Sequence, residues 1–514
     1  MVISKSEFMM FLKHPAWLWL KKYDKDKLPI PDEGLQALFD EGTLFEQYAE
    51  KLFPNAVKLG YKNGHDFSGT KYYALPDLTK KEIKKGTAAI LQGRFEVDNL
   101  TSIFDVLEKV GDPPSHKASD GQSKVYDLYE IKSSTSVKPE HIPDLAFQTI
   151  VLEKAGLSVR KMFVLHVNNK YVRQGEIEPA GISEKSDVTA KVRENLEETR
   201  ENISKAFKIL KEKEMPDISP RYLTRGGETL DEWLEIFQAI KGELPRYSIY
   251  RLCSSDPKTI AWLEDNGIEL LNEIPLDCPL TEKQLRQVKA MRSGVQHINK
   301  EEINNFLEAL EYPLHFLDYE TMAGVIPAFD GFRPYQQVPF QYSLHILDKP
   351  GGKLIHKEYL HTDNYDPVPS LLEHLQNDFT GKGSVISWFM TFEKNRNIEM
   401  GKMHSKYEKF LSGVNERMVD LMTPFSKGWF VDKDFFGRAS IKLVLPALLP
   451  EFSYKELNIS NGGQAQRVWM QTVLENKNPE KKQEIMNDMR EYCGLDTYAM
   501  YAILKYLKEK VQLT

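Results

Sequence analysis

The spacing of apolar residues in the first part of the chain predicts helices that lead into a series of short strands. The helical spacing comes first, and apolar runs bounded by turn residues follow it. The predicted elements are helices over 4–53, strands over Ile90–Val97, Ile103–Leu107 and Leu128–Lys132, a helix over Asp144–Ala155 and a strand over Val159–Val167.

The middle of the chain predicts helices with charged surfaces. Residues Asp187–Lys213 are rich in Glu and Lys with little apolar stripe, which indicates a solvated linker helix, or one that bridges domains or covers nucleic acid. The segment Thr281–Ser293 predicts a helix with a basic face, which would contact either phosphates or solvent. The cations of this face are Lys283, Arg286, Lys289 and Arg292.

Two patterns in the last part of the chain predict a buried strand and an apolar helix. The short apolar run Tyr312–Leu317 is typical of a buried strand, and the segment that begins at Arg490 opens a strongly apolar helix. Tyr492 and Asp496 are four residues apart in this helix and therefore share one face.

Length and composition limit the class of protein. A chain of 514 residues is too long for one core, so two or three domains are expected. No apolar run approaches the ~18 residues of a membrane span and the N-terminus lacks a signal-peptide core, so we expect a cytoplasmic protein without a membrane partner. The three cysteines, Cys253, Cys278 and Cys493, predict neither a disulfide framework nor a zinc or iron–sulfur site.

Asp318 and Glu320 are the first candidate site residues. They follow the predicted strand at alternate positions and therefore point to the same side of it. Adjacent carboxylates repel each other, and a divalent cation between them removes the repulsion. The alternative is an exposed strand edge that carries two solvated acids.

This Asp-x-Glu strand, together with the later Tyr-x-x-x-Asp helix, resembles the DnaQ-like exonucleases, in the branch with four acids and a tyrosine that is written DEDDy. Residues Ser387–Glu393 occupy the place of that family's middle motif, with Glu393 where the family usually has Asp. The segment Gly437–Lys442 also resembles a family feature that precedes a helix. The resemblance covers residues 310–510 and implies an RNase H-type domain with a 3'-5' exonuclease site.

A second set of candidate residues lies in the first part of the chain. Asp105 is an acid within an apolar predicted strand, and a buried charge requires a partner such as a metal ion. Glu130 and Lys132 share one face of the next strand, where an isolated pair would be a weak surface ion pair. Glu46 and Glu50 are one helical turn apart and by themselves are typical of a solvated stripe.

Asp105 with Glu130–Lys132 resembles the PD-(D/E)XK nuclease core in its RecB-like form. In that form a helix with a glutamine follows, and Gln148 occupies this place. The form also has a ligand, often His, a few residues after a glycine on an N-terminal helix. Gly42 and Glu46 match this spacing, with Glu in place of His. The iron–sulfur cysteines that many RecB-like relatives carry are absent from this sequence.

The two resemblances imply metal-dependent hydrolysis of phosphodiester bonds. Tyr492 would orient the attacking water, since a pKa near 10 makes it a poor base. Lys132 would position water or stabilise the developing negative charge, and Gln148 would bind near that site. The expected cofactor is Mg²⁺ or Mn²⁺, which prefer oxygen ligands. The implied metal ligands are Asp318, Glu320, Glu393 and Asp496 in one site and Glu46, Asp105 and Glu130 in the other.

The sequence thus predicts an α/β protein with two nuclease-type domains, each with a mixed central sheet, joined by a helical middle region. The expected partner is nucleic acid, with DNA favoured over RNA. The net charge of −7 argues against a general polyanion-binding surface but permits local basic grooves. Two alternatives are that only one site is active and that the protein binds nucleic acid without catalysis. The predicted domains are a RecB-like domain over 1–180, the middle region over 181–300 and a DnaQ-like domain over 301–514.

Overall fold

The structure is a computed structural model that describes residues 1–60, 69–111 and 125–512. It has two compact units of mixed α/β character, which confirms the predicted fold class. The residues expected to form a middle region, 181–300, are divided between the two units. The first unit contains residues 1–244, 256–258 and 324–335, and the second contains residues 245–255, 259–323 and 336–514.

Helices and short strands alternate through the first unit. Ser4 is the N-cap of the first helix, because its hydroxyl accepts a hydrogen bond from the backbone N–H of Glu7 and the Glu7 carboxylate accepts one from the backbone N–H of Ser4. The helices are α1 (Lys5–Lys13), α2 (Pro15–Tyr23), α3 (Glu33–Ala49), α4 (Gly69–Lys85), α5 (His141–Lys154), α6 (Pro179–Ile182), α7 (Thr189–Ile209) and α8 (Glu228–Lys241). The strands are β1 (Ile3–Ser4), β2 (Val57–Lys58), β3 (Ala89–Leu91), β4 (Arg94–Val97), β5 (Leu100–Ile103), β6 (Val106–Gly111), β7 (Val125–Lys132), β8 (Ser158–Val167) and β9 (Ser183–Asp187).

The largest sheet of the first unit has the strand order β2-β3-β6-β7-β8-β9, with β7 parallel to β8 and antiparallel to β6. Apolar side chains cover both faces of β7. Leu128 belongs to a cluster that includes α5, whereas Tyr129 and Ile131 belong to a cluster that includes α3. Because alternate strand residues share a face, Glu130 and Lys132 project toward α5.

The prediction of one strand over Ile90–Val97 is wrong, because a break at Gln92 and Gly93 separates β3 from β4. The two strands belong to different sheets, and β4 forms a three-stranded sheet with β5 and β1. Gln92 has a φ of 53°, in the left-handed region, where an extended strand cannot continue. A Cβ atom at Gly93 would lie 2.3 Å from the Phe104 ring, so this close approach requires glycine.

The prediction of one strand over Ile103–Leu107 is also wrong, because a bend separates β5 from β6. Asp105 therefore lies between two strands rather than inside one. The backbone N–H of Gln92 donates to the carbonyl oxygen of Asp105 at 2.9 Å, so the two breaks face each other. Both chain segments therefore pass from one sheet to the other at neighbouring positions. This places Asp105 directly before the first residue of β6.

The charged helix predicted over Asp187–Lys213 is α7, and the expectation of a solvated linker is wrong. One face of α7 packs into the core of the first unit beside α5, while the charged residues occupy the other face. The apolar residues recur at intervals of four and three, which keeps them on one side of a helix. The buried residues of this stripe are Val192, Leu196, Thr199, Ile203 and Ala206.

The second unit begins with helices and continues with a mixed sheet. The elements that follow in the chain are the helices α9 (Pro257–Asp265), α10 (Glu282–Ser293), α11 (Lys300–Glu308), α12 (Val368–Asp378), α13 (Thr391–Met403), α14 (Glu408–Glu416), α15 (Thr423–Ser426), α16 (Ile441–Leu448), α17 (Gly462–Trp469) and α18 (Lys482–Gln512). The strands are β10 (His297–Ile298), β11 (Leu314–Met322), β12 (Val338–Leu347), β13 (Leu354–Leu360), β14 (Val385–Ser387), β15 (Met418–Asp420) and β16 (Phe430–Val431).

The main sheet of the second unit has the strand order β13-β12-β11-β14-β15, with β11 at its centre. β11 is antiparallel to β12 and parallel to β14. The long helix α18 packs on β11, where the Phe316 ring meets the Tyr501 ring edge-on at 6.0 Å. The face of β11 that carries Phe316 therefore looks toward α18, and Asp318 and Glu320 share this face. Across the described residues, no helix has the length and apolar character that a membrane span requires.

The packing of α7 generates a stability prediction. Ile203→Ala should lower the free energy of unfolding by about 2–5 kcal/mol, because it leaves a cavity beneath α7. The exposed neighbour Ser204 supplies the control, since Ser204→Ala removes no buried contact. Urea unfolding, monitored by circular dichroism, measures the change in the free energy of unfolding for both variants. Equal stability of the two variants would show that α7 contributes no packing energy.

Candidate functional site

One cavity in the second unit contains every residue that was predicted for the C-terminal site. Its volume is about 370 Å³, and it lies where the C-terminal half of β11, the start of α13 and the middle of α18 come together. The predicted residues that line it are Asp318, Glu320, Glu393, Tyr492 and Asp496.

β11 and α18 place three potential metal-binding side chains together. Asp318 and Glu320 project from the same face of β11, and Cys493 of α18 lies opposite them. One ligand atom from each of these residues lies within 4.8 Å of the other two. Among the described residues, this is the one group of three His, Cys, Asp or Glu side chains with that spacing. Burial and the neighbouring acids raise the pKa of the Cys493 thiol, which therefore stays protonated.

Tyr492 and Asp496 lie on one face of α18, as their spacing predicts, and both side chains line the cavity. Tyr454 donates a hydrogen bond to Asp496 at 2.6 Å. Lys442, near the start of α16, donates to the Tyr492 hydroxyl at 3.1 Å and to the carbonyl oxygen of Ser460 at 2.8 Å. The Tyr492 hydroxyl therefore lies beside an ammonium group.

Glu393 reaches the cavity from the first turn of α13. Asp420 on β15 holds the backbone that precedes this helix, because its carboxylate accepts hydrogen bonds from the backbone N–H groups of Phe389 and Met390 at 3.0 and 3.3 Å. Burial first, and then repulsion from Asp420, raise the pKa of Glu393 to about 8. Its buried Oε2 atom has no hydrogen bond of ordinary geometry to any described residue.

Three acids of the cavity, Glu320, Glu393 and Asp496, are buried and Asp318 is half-buried, and the acids repel one another. Burial raises the pKa of Asp318 well above its usual value, and the charges of Asp496 and Glu320 add to this effect. Burial and Asp496 likewise raise the pKa of Glu320 to about 8. Lys442 is the one cation among the described residues that line the cavity, and burial lowers its pKa. The cavity therefore favours a further cation.

The donor atoms of this cavity fit Mg²⁺ or Mn²⁺. The acids that line it, Asp318, Glu320, Glu393 and Asp496, offer the oxygen ligands that these ions prefer. The buried Oε2 atom of Glu393 is available to a ligand, and the cavity contains four acids but only one lysine among its described lining residues. A divalent cation would relieve both conditions.

The first unit brings the predicted N-terminal residues together at the end of β7. Glu130 accepts hydrogen bonds from Lys132 and from Gln148 of α5, each at 2.6 Å. Lys132 also donates to Asp144 at 2.9 Å, and Gln148 donates to the same carboxylate at 2.9 Å. Lys5 of α1 completes this network at 2.7 Å from Glu130 and 3.3 Å from Asp144.

Asp105 and Glu46 lie close to the same network, since the charge of Glu130 acts on both carboxyl groups. The Asp105 carboxylate accepts a hydrogen bond from the backbone N–H of Ile131 at 2.6 Å, and Glu46 accepts one from the Gln92 amide at 2.6 Å. Burial and the charge of Glu130 raise the pKa of Asp105 well above its usual value. Burial also raises the pKa of Glu46. Glu50, one turn further on, pairs instead with Lys58 at 2.6 Å.

The balance of charge differs between the two sites. In the first unit, burial would raise the pKa of Asp144, but Lys5 and Lys132 outweigh this effect and hold it below its usual value. The carboxylates of Glu46, Asp105 and Glu130 offer suitable oxygen ligands. Among the described residues of this site, however, no three residues offer potential ligand atoms that all lie within 4.8 Å of one another. The two lysines already supply positive charge that a metal ion would otherwise provide.

Several residues of the two sites were not predicted as site residues. Lys5 and Asp144 belong to the N-terminal network, and Lys442, Tyr454 and Cys493 contact residues of the C-terminal cavity. For Asp144, its spacing of four residues from Gln148 was a usable signal, because it places both side chains on one face of α5. No local spacing connects Lys5 or Tyr454 with the acids they contact.

Comparison with known proteins leaves the activity open. A family model described as a domain of unknown function, DUF2779, matches residues 315–440. The matched region includes Asp318, Glu320 and Glu393 and ends before Tyr492 and Asp496.

Three relatives share weak similarity with the chain. An uncharacterized protein of Mycoplasma genitalium, MG366, is 24% identical over 217 residues, which cover 38% of this chain and 32% of that protein. Its homologue in Mycoplasma pneumoniae is 24% identical over 211 residues, with coverage of 38% and 32%. The uncharacterized protein UU173 of Ureaplasma parvum is 25% identical over 224 residues, with coverage of 38% and 31%. The chain therefore matches about a third of the length of these relatives.

The crowded acids generate a prediction about metal binding. A concentration of Mn²⁺ a hundredfold above its dissociation constant should stabilise the protein by about 2.7 kcal/mol, because the folded state alone forms the site. Glu320→Gln should abolish most of this stabilisation, whereas Glu373→Gln, at an exposed position on α12, should retain it. Thermal unfolding with Mn²⁺ and with EDTA provides the measurement. An undiminished Mn²⁺ effect in Glu320→Gln would exclude Glu320 as a ligand.

The raised pKa of Glu320 generates a prediction about pH. The carboxyl group has a pKa of about 8 in the folded protein against an ordinary value of 4.5, so the folded state holds its proton more tightly. In EDTA, the stabilisation from this proton is present below pH 4.5 and is lost as the pH rises to about 8. The stability of wild type relative to Glu320→Gln should therefore fall between these values. Urea unfolding at pH 5 and pH 8 measures the difference, and a rise with pH would contradict the prediction.

Proposed function

We propose that the protein is a metal-dependent nuclease, and that the acidic cavity of the second unit hydrolyses phosphodiester bonds of nucleic acid with 3'-5' exonuclease action, with DNA favoured over RNA as the substrate. The single observation that carries this proposal is the meeting of four carboxylates and a tyrosine in one cavity, from β11, α13 and α18. These are the residues that the resemblance to the DnaQ-like exonucleases singles out.

The acids of the cavity would hold Mg²⁺ or Mn²⁺. When bound, such ions lower the pKa of water and stabilise the negative charge that develops on the phosphate and the leaving oxygen. Asp318 and Glu320 would contribute from β11, and Asp496 from α18. Glu393 would supply the remaining ligand, and Asp420 would act as a positioning residue that fixes the start of α13.

Tyr492 would orient the attacking water rather than remove its proton. Burial and the neighbouring acids raise the pKa of its hydroxyl far above the ordinary value, so it stays protonated at neutral pH. The hydrogen bond from Lys442 holds this hydroxyl in place, and the Asp496 carboxylate lies on the same face of α18. Lys442 would also place a positive charge beside the negatively charged substrate.

The N-terminal network is a second candidate nuclease site. The observation in its favour is the convergence of Glu46, Asp105, Glu130, Lys132 and Gln148 at the end of β7, in the arrangement that the resemblance to RecB-like nucleases implies. The Lys132 ammonium group could stabilise negative charge on a phosphate there. A metal ion would have to share the carboxylate of Glu130 with Lys5 and Lys132.

Digestion of end-labelled and circular DNA and RNA tests both proposals. With Mg²⁺ or Mn²⁺, the wild-type protein should release single nucleotides from an end, and EDTA should stop the reaction. Asp318→Asn should lower the rate by at least about a hundredfold, because it weakens the metal site. Binding of the strand should survive, since contacts to phosphates elsewhere hold it.

Lys132→Met separates the two sites. It should leave the release of single nucleotides unchanged, because changes in separate compact units with no shared partners act independently. Lys161→Met, at an exposed position on the adjacent strand β8, is the matched control. If Lys132→Met abolishes digestion while Asp318→Asn does not, the active site is the N-terminal one. A protein that digests none of these substrates with either ion would instead be a nucleic-acid-binding protein without nuclease activity.

A further inference from the structure

A second cavity of the same unit lies directly beside the acidic cavity. It has a volume of about 540 Å³ and shares three lining residues, Trp388, Phe389 and Ile441, with the acidic cavity. The two cavities have opposite charge. Three cations line the second one, Lys283, Arg286 and Arg438, and no carboxylate occurs among its described lining residues. We call it the basic cavity.

The three cations come from two distant parts of the sequence but act at the same place. Lys283 and Arg286 lie on α10, and Arg438 precedes α16. Burial raises the pKa of the Cys253 thiol, and the positive charges of these three residues oppose that shift. All three therefore lie near the Cys253 side chain and line one cavity, although the two parts of the chain are about 150 positions apart in sequence.

Arg286 is held in place by a hydrogen bond to the backbone, and a glycine leaves room for its guanidinium group. The Arg286 guanidinium donates to the carbonyl oxygen of Lys427 at 3.0 Å and lies 3.4 Å from the exposed carboxylate of Glu282. A Cβ atom at Gly428 would lie 2.9 Å from this guanidinium, and Gly428 has a φ of 74°. Glycine at this position thus allows the arginine to lie against the backbone.

Phe389 is an aromatic side chain held at the boundary between the two cavities. The residue is 52% exposed. Its φ of 67° lies in the left-handed region, which is unfavourable for a bulky residue. The hydrogen bond from its backbone N–H to Asp420 holds this conformation. The same loop therefore exposes the ring and starts the helix that carries Glu393.

The Trp388 side chain is held in a fixed position next to Phe389. Its indole N–H donates to the carbonyl oxygen of Ala439 at 2.9 Å, and its ring stacks on Phe425 at 5.4 Å. The Trp388 side chain cannot rotate without loss of both contacts. A ligand that spans the two cavities would cross the boundary that Phe389 shares with Trp388 and Ile441.

We infer that the basic cavity is a second nucleotide-binding subsite, which holds the single-stranded part of a nucleic acid next to the phosphodiester in the acidic cavity, with Phe389 stacked on a base between them. The inference rests on the proposed function, which assigns the acidic cavity to the reacting phosphodiester. Lys283, Arg286 and Arg438 contact phosphates of the adjoining nucleotides.

The combination of charge and aromatic surface identifies this ligand. Phosphates require cations, and unpaired bases stack on exposed aromatic rings, so a strand with both groups fits the whole surface. An acidic peptide would use the cations but has no bases to stack on Phe389. A duplex hides the faces of its bases, which therefore could not reach the ring.

Binding of a fluorescent tetrathymidylate to Asp318→Asn protein in EDTA tests the inference, because digestion requires the metal ion and this substitution slows it further. Phe389→Ala should weaken binding about tenfold, the effect of one lost stacking contact, and Phe389→Trp should restore it. Lys283→Gln and Arg438→Gln should each weaken binding and reduce the slope of log affinity against log salt by about 0.7. Lys289→Gln, on the same helix but outside the basic cavity, is the matched control and should leave the slope unchanged.

Two outcomes would overturn the inference. One is an equal effect of Lys289→Gln and Arg438→Gln, which would indicate general electrostatic attraction. The other is displacement of the probe by polyglutamate as effectively as by oligothymidylate of equal charge, together with no effect of Phe389→Ala, which would indicate a surface for acidic peptides.

Hydrolysis of thymidine 5'-monophosphate p-nitrophenyl ester, which needs only the acidic cavity, tests the proposed function separately. Wild type should hydrolyse this ester with Mn²⁺, and the Phe389→Ala variant should lose more kcat/KM on tetrathymidylate than on the ester. Equal losses on both substrates would contradict a subsite. Failure of wild type on both substrates would refute the proposed function, whereas the binding measurements decide the subsite.

Discussion

Carboxylates that are held together away from water require positive charge nearby, and both units of this protein are arranged around that requirement. In the first unit the chain supplies the charge itself, because Lys5 and Lys132 contact the acids at the end of β7. In the second unit Lys442 is close to the acids, yet burial lowers its pKa, and the pKa values of Asp318 and Glu320 remain raised. Two lysines thus contact the acids of the first site, whereas Lys442 is the one cation among the described residues that line the acidic cavity with its four carboxylates.

The same structural device positions the acids in both units. A strand presents alternate residues on one face, and a helix packed on that face supplies the remaining groups. In the first unit β7 presents Glu130 toward α5, which carries Gln148. In the second unit β11 presents Asp318 and Glu320 toward α18, which carries Asp496. The sheets thus fix the spacing of the acids, and the packing of one helix completes each site.

The basic cavity explains how a chain with a net charge of −7 could engage a polyanion. The positive and negative charges of the second unit are separated locally, since cations line one cavity and acids line the neighbouring one. Asp420 connects the two, because it holds the backbone at Phe389 and Met390 in front of the helix that carries Glu393. The position of a stacked base and the position of a metal ligand would then depend on one loop.

The sequence by itself determined the features that follow from a fixed local period. Asp318 and Glu320 share a face because a strand repeats every two residues, and Tyr492 and Asp496 share one because a helix repeats every 3.6. Tertiary structure alone decided which side chains meet across long separations, as Lys5 does with Glu130. It also decided where Asp105 lies, since the change of sheet depends on contacts between two separate chain segments. Such contacts have no period in the sequence, because they arise only when distant elements pack together.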